Sequence, residues 1–120
     1  MSSILDSVKP ILGIPIDYDH FNPILIAHIN SVFVVLRQLG IGPEEGFMIT
    51  DSTEEWSDFI PEGDELFLGE LQSYVGLKVR LMFDPPTNSS VTESINNMIS
   101  EFEYRLLVTG DALRKSKSNI

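Results

Sequence analysis

Residues 64–93 read DELFLGELQSYVGLKVRLMFDPPTNSSVTE, and this stretch decides the fold class. From near Asp64, apolar side chains recur every three or four residues. Leu68, Leu71, Val75, Val79 and Met82 make one stripe, and Phe67, Tyr74, Leu77 and Leu81 make a second on another face. That period is helical. The helix stops at Asp84-Pro85-Pro86. Pro85 has no backbone donor and pushes Asp84 out of the α region, and Pro86 does the same to Pro85. The corner is therefore stiff, and it sets the angle to the next helix. Ser90-Val91-Thr92-Glu93 has the form of a capping box. Val91, Ile95, Met98, Phe102 and Leu106 follow at helical spacing. This last helix is predicted to reach about Val108, with Gly110 as its stop.

The same signals recur upstream. Ser3-Ile4-Leu5-Asp6 resembles a capping box with Asp in place of Glu, and Ile4, Leu5, Val8, Ile11 and Leu12 follow. Pro10 makes that helix short or kinked, and Gly13-Ile14-Pro15 ends it. Asn22-Pro23 is a start signal, with Asn as N-cap and Pro in the first turn. The helix it opens runs to Leu39, with Gly40 beyond. It is apolar almost all round: Leu25, Ile29, Val32, Leu36 and Leu39 form one stripe, and Ile24, His28, Phe33 and Val35 cover much of the rest. Such a helix is either central in its domain or buried against other subunits. Residues 40–64 are punctuated by glycine and proline. Within them Ser52-Thr53-Glu54-Glu55 reads as a capping box for a turn or two carrying Trp56, Phe59 and Ile60. The expectation is an all-α bundle: a short N-terminal helix, three long helices and an ordered loop holding Trp56 and Phe59.

With 120 residues, one domain is expected. The charge divides unevenly. Residues 1–110 carry 17 acids and 5 bases, a balance of −12, while residues 111–120 carry one acid and three bases, +2. The expected division is a helical domain over 1–110 and a loose basic tail over 111–120, holding Arg114, Lys115 and Lys117. Between Arg37 and Lys78 lie ten acids and no base. Such a surface repels phosphate, which argues against ordinary DNA binding. It suits a solvated face, a basic protein partner, a DNA mimic, or a wall that DNA passes without sticking. The chain has no cysteine, which removes disulfides and thiolate chemistry. No apolar run approaches the ~20 residues of a membrane span. MSSILDSVKP has no basic n-region or long apolar core, so synthesis in the cytoplasm, without a signal peptide, is expected.

Chemistry is sparse. His20 and His28 belong to no metal-ligand spacing, and His28, set among Ile24, Val32 and Val35, reads as a core histidine. Asp17-Tyr18-Asp19-His20-Phe21 lacks the glycine turn and distal glutamate of a calcium loop. There is no serine-nucleophile elbow, no P-loop and no dinucleotide fingerprint. A small hydrolase built on His20 or His28 with nearby carboxylates has no supporting motif. Asn88-Ser89-Ser90 matches a glycosylation pattern that a cytoplasmic chain would not use. No catalytic residue, metal or cofactor is expected. The doubly apolar helices point to self-association, because a small domain cannot easily bury two faces on each of two helices.

The order of these segments resembles a known family. Leu-Gly-Ile-Pro closes the first helix (Leu12 to Pro15), and His28 to Phe33 leads to Gln38-Leu39-Gly40-Ile41-Gly42-Pro43. A Trp-x-x-Phe-Ile loop follows (Trp56 to Ile60), then Lys78 to Pro86, then Ser100 to Leu106. Over about residues 3–108 this is similar to the small all-helical head–tail connector (adaptor, or head-completion) proteins of tailed bacteriophages. The resemblance implies a virion protein at the head–tail joint, made in the bacterial cytoplasm. It implies a ring, usually twelvefold, bridging portal to a tail, stopper or nozzle protein, with the genome passing through the lumen without sequence-specific binding. Terminal segments of the family reach portal or neighbouring subunits, so Arg114, Lys115 and Lys117 are contact candidates. Trp56 and Phe59 either anchor their loop to the core or present an apolar contact to a partner. Asp84, Pro85 and Pro86 would hold the helix angle that a ring repeats at every interface. The competing reading is a small acidic inhibitor that mimics DNA and occupies a basic groove.

Overall fold

The computed structural model describes residues 3–61 and 65–118, the last nine as helical backbone only. Five α-helices and one 3-10 turn follow in order: α1 (Ile4–Val8), η1 (Lys9–Leu12), α2 (Asn22–Gln38), α3 (Trp56–Phe59), α4 (Glu65–Phe83) and α5 (Ser89–Ser118). The described residues hold no strand, only an isolated antiparallel bridge between Ser3 and Glu55. The all-α bundle expected from the sequence is the fold observed.

Each boundary has a local cause. The Ser3 hydroxyl accepts from the Asp6 N–H at 3.2 Å and caps α1. Pro10 cannot donate, and the chain tightens into η1. Gly13 ends it in the left-handed region at φ 75°, its N–H donating to the Pro10 carbonyl at 3.0 Å. At the end of α4 the Asp84 N–H still reaches the Arg80 carbonyl at 2.9 Å, and Pro85 allows no further bond.

Several caps sit one to three residues from their expected places. Asn22 lies inside α2, with Phe21 at the cap position, and its side chain donates to Asp19 instead. Glu55, not Ser52, precedes α3, and the Asp58 carboxylate accepts from the Glu55 N–H at 2.8 Å. Asn88, not Ser90, caps α5: its side-chain oxygen accepts from the N–H groups of Ser90 at 2.8 Å and Val91 at 3.4 Å. α5 also runs on through Gly110 to Ser118. A glycine in a helix costs about 1 kcal/mol against alanine, which does not by itself end a long helix.

α4 is the centre of the bundle. Its buried face (Leu71, Tyr74, Val75, Val79) packs against α1 and η1, against α2, and against α5. Gly76 lets its backbone approach η1 so closely that an added methyl would overlap the Ile11 side chain. α2 buries Leu25, Ile29, Val32, Phe33 and Leu36 on one side and leaves the other side open. α5 is held to α4 by Ile95, Ile99 and Leu106, so Ile99 takes the inward place expected for Met98, which is exposed.

The loop between α2 and α4 is built onto the core. Phe33 of α2 meets Phe59 at a centroid distance of 4.6 Å and Phe47 at 5.3 Å, and Phe47 meets Phe59 at 5.2 Å. Trp56 stands edge-on to Phe33, and its indole N–H donates to the Ser7 hydroxyl at 2.9 Å. Asn30 grips the loop from α2 with both ends of its amide, one bond to each backbone group of Ile49.

One buried cation was not foreseen. Lys9 is 1% exposed, and its ammonium donates to the carbonyls of Ile16 at 2.9 Å and Tyr18 at 3.1 Å, with the Asp19 carboxylate at 3.4 Å. It pins the connection from η1 to α2. Lys9→Met keeps most of the side-chain volume and removes the donors. We expect a loss of about 1–3 kcal/mol, the usual cost of stripping a charged donor from buried acceptors. Urea unfolding followed by circular dichroism measures it; an unchanged midpoint would show that the loop is held by its apolar contacts alone.

Candidate assembly surfaces

Several polar groups among the described residues serve the fold. His20 is exposed and lies edge-on to Phe21, and His28 is half-buried on α2 beside an exposed Ile24, not in the core. Asp19 is taken by Lys9 and Asn22. Tyr74 is fully buried and donates to the Glu103 carboxylate at 2.7 Å, with the Lys78 ammonium 3.8 Å from that carboxylate. Burial, then the Glu103 hydrogen bond, pushes the Tyr74 phenol well above its usual range, so it stays a neutral donor. Arg105 reaches Glu70 at 3.7 Å and lies over the Phe102 ring. These groups stitch α4 to α5. Among the described residues no group of three or more His, Cys, Asp or Glu could hold a metal ion.

What the body offers outward is surface. On α2 the positions opposite the core are Ile24, Ala27, Ser31, Val34 and Gln38, all exposed and all uncharged. Ile24 is 48% and Val34 58% exposed. Met82 of α4 extends this face, with its sulfur 3.7 Å from the Ser31 hydroxyl. On α5, Tyr104 at 70%, Leu107 at 42% and Val108 at 52% exposed point away from α4, because Ile99, Phe102 and Leu106 point toward it. α4 lies between α2 and α5, so the two faces sit on separate flanks. Glu44, Glu45, Asp51 and Asp58 are exposed between α2 and α4, and Glu101 is exposed on α5 near Tyr104.

Residues singled out from the sequence divide sharply. Trp56 is 4% and Phe59 2% exposed, so both side chains are spent on the subunit's own core and neither is presented to a partner in this fold. Asp84 and Pro85 are exposed at the corner, and Phe83, just before them, packs edge-on against Phe21 at 5.1 Å. Arg114, Lys115 and Lys117 stand on the last turns of α5, and their side chains lie outside the described structure. From the sequence, self-association was expected of the apolar helix now seen as α2, and the outward face of α5 went unnamed. The signal for α2 was present, in fifteen residues from Asn22 to Leu36 without one Asp, Glu, Lys or Arg.

The helical body presents exposed apolar side chains on α2 and α5 and an acidic loop after α2. Residues 4–112 match the family described as phage connector protein. The chain belongs to that family. The match spans α1 to the far part of α5, and so takes in both flanks. No curated protein and no solved structure matches the chain. A phage connector is a structural component, and the connector's all-helical body agrees with that role. No helix among the described residues is long and apolar enough to cross a membrane.

Proposed function

We propose that this connector forms a ring at the head–tail joint of a tailed phage. The ring bridges the portal to a tail or stopper protein, and the genome passes through its lumen. Membership of the connector family over residues 4–112 carries the reading. Two features of the chain support it. Exposed apolar side chains on separate flanks, Ile24 and Val34 of α2 and Tyr104, Leu107 and Val108 of α5, suit contacts made on two different sides of each subunit, as a closed ring requires. An excess of carboxylates, −10 over the chain, suits a wall along which DNA must slide without binding. Arg114, Lys115 and Lys117, in the basic end of the sequence, are the proposed contacts to a neighbouring subunit or the portal. The corner at Asp84-Pro85-Pro86 would keep α4 and α5 at the angle that every interface repeats.

Light scattering of the purified chain, alone and with added portal protein, tests this. A ring-sized species in either condition is expected. A monomer or dimer in both, indifferent to the portal, would overturn the reading and favour an acidic inhibitor of a nucleic-acid enzyme.

A further inference from the structure

We infer that, in the free chain, the outer face of α2 pairs with the same face of a second copy, the two α2 helices running antiparallel about a twofold axis at the level of Ile29.

The face has no formal charge to desolvate. From Asn22 to Leu36 there is no Asp, Glu, Lys or Arg, in a chain whose net charge is −10. Two copies of so acidic a chain repel each other over most of their surface, and this is where they approach with least repulsion. A basic partner finds no carboxylate here to hold it. Ile24 at 48%, Val34 at 58% and Met82 at 41% exposed supply apolar area. The Ser31 hydroxyl already donates to the His28 carbonyl at 2.7 Å, so covering it strands no donor.

The face also fits its own reverse. Ile24, Ala27, Ser31 and Val34 stand along it, large, small, small and large, at spacings of three, four and three. Turned end for end at the level of Ile29, Ala27 of one copy lies beside Ser31 of the other, and Ile24 beside Val34. The small residues let the backbones come close at the crossing, and the large ones pack at either side of it. Met82 of each copy, beside its own Ser31, borders the crossing.

Charges beyond the face choose the direction. Asp17 and Asp19 are exposed just before α2, near Asp84, which follows the Phe83 that packs on Phe21. At the far end stand the exposed Arg37, Glu44 and Glu45. Parallel helices would set each of these groups against its own copy, with the helix dipoles aligned. The antiparallel pair opposes the dipoles and brings Arg37 level with Phe21 of the other copy, two residues from Asp19, whose side chain is 77% exposed. The Arg37 Nε donates to the Glu44 carbonyl at 2.7 Å, so Glu44 comes with it to the positive end of the other helix, where an acid is favoured.

One helix face is small beside the ~800 Å² per partner of a stable interface, so the dimer is weak and depends on concentration. A twofold contact joins like faces and stops at two, whereas a ring repeats a contact between unlike faces. The pair therefore withholds α2 from ring contacts until it is displaced, a consequence that rests on the ring reading.

The chain has no native cysteine, so single cysteines report the contact cleanly. Ala27→Cys, Ile24→Cys, Val34→Cys and Tyr104→Cys are made in the full chain and treated at high concentration with a short bis-maleimide, with and without portal protein. Without portal, Ala27→Cys alone should give a dimer and nothing larger, because the two thiols are offset by only ~6 Å along the helix, four residues of rise. Ile24→Cys and Val34→Cys should each stay monomeric alone and give a dimer when mixed. Tyr104→Cys should stay monomeric. Ala27→Asp should keep the helical circular dichroism and lose the dimer seen by sedimentation. Dimers from Val34→Cys alone would mean parallel helices, and monomers from every variant and mixture would mean no pairing; either result overturns the inference. In the second case, ring-sized particles with portal would leave the ring reading standing, and their absence would remove that reading as well.

Discussion

Replacing Trp56 by alanine is expected to remove roughly 3–5 kcal/mol of stability, the range for truncating a large buried aromatic side chain. The indole is 4% exposed, it closes the cluster around Phe33, and its N–H is satisfied by Ser7. Truncation would open a cavity beneath α1 and strand the Ser7 hydroxyl's partner site. It would also loosen a clip between the chain's first residues and the loop, where the Ile4 N–H donates to the Glu54 carbonyl at 3.0 Å. Trp56 is the only tryptophan, so unfolding must be followed by circular dichroism, not by intrinsic fluorescence. A domain of this size has only about 5–15 kcal/mol in hand. The variant should therefore unfold at a much lower urea concentration. A loss below about 1 kcal/mol with assembly abolished would place the energetic role of Trp56 at an interface, against its burial.

Gly42→Ala should be nearly as costly, for two separable reasons. Gly42 sits at φ 93°, a conformation that costs an L-residue about 1–2 kcal/mol. The added methyl would also overlap the Phe59 ring, whose Cζ and Cδ1 atoms would lie 2.9 and 3.2 Å away. That ring cannot step aside, because Phe33 and Phe47 already lie against it. Overpacking of this kind costs about 1–3 kcal/mol more. Gly46 supplies the control. It has the same φ of 93°, but its added methyl would meet only the Arg37 side chain at an ordinary 3.7 Å. Gly46→Ala should show the backbone cost alone. Denaturation of the two variants side by side gives the ring overlap by difference. Equal losses would show that the loop shifts to admit a methyl at Gly42.

Both variants probe the loop from 40 to 60, where the connector's sequence is least regular and its packing most specific. Punctuation by glycine and proline marks a loop, but does not say that its aromatic residues turn inward. Trp56 and Phe59 had two consistent readings from sequence. Core and interface positions select the same large apolar side chains, and only the approach of Phe33 and Phe47 separates them. The buried Lys9 is the converse case. A lysine on a short helix reads as a solvated position. Its burial depends on carbonyls at Ile16 and Tyr18 that a distant turn brings within reach.

The sequence by itself determined the helices of this connector, the turn carrying Trp56, the prolines that stop α4, and the charge contrast between an acidic body and a basic end. Those features are local: a helix is set by neighbours three and four residues away, by a donor that proline lacks, and by composition. Tertiary structure decided which helix is central. α2 is the more apolar, yet α4 is the helix packed on by its neighbours, and that leaves one side of α2 open. It also decided the inward side of α5, where Ile99 displaces Met98, and the residue that caps each helix. A period of 3.6 allows more than one phase of the same stripe, and the phase is set by the helix on the other side.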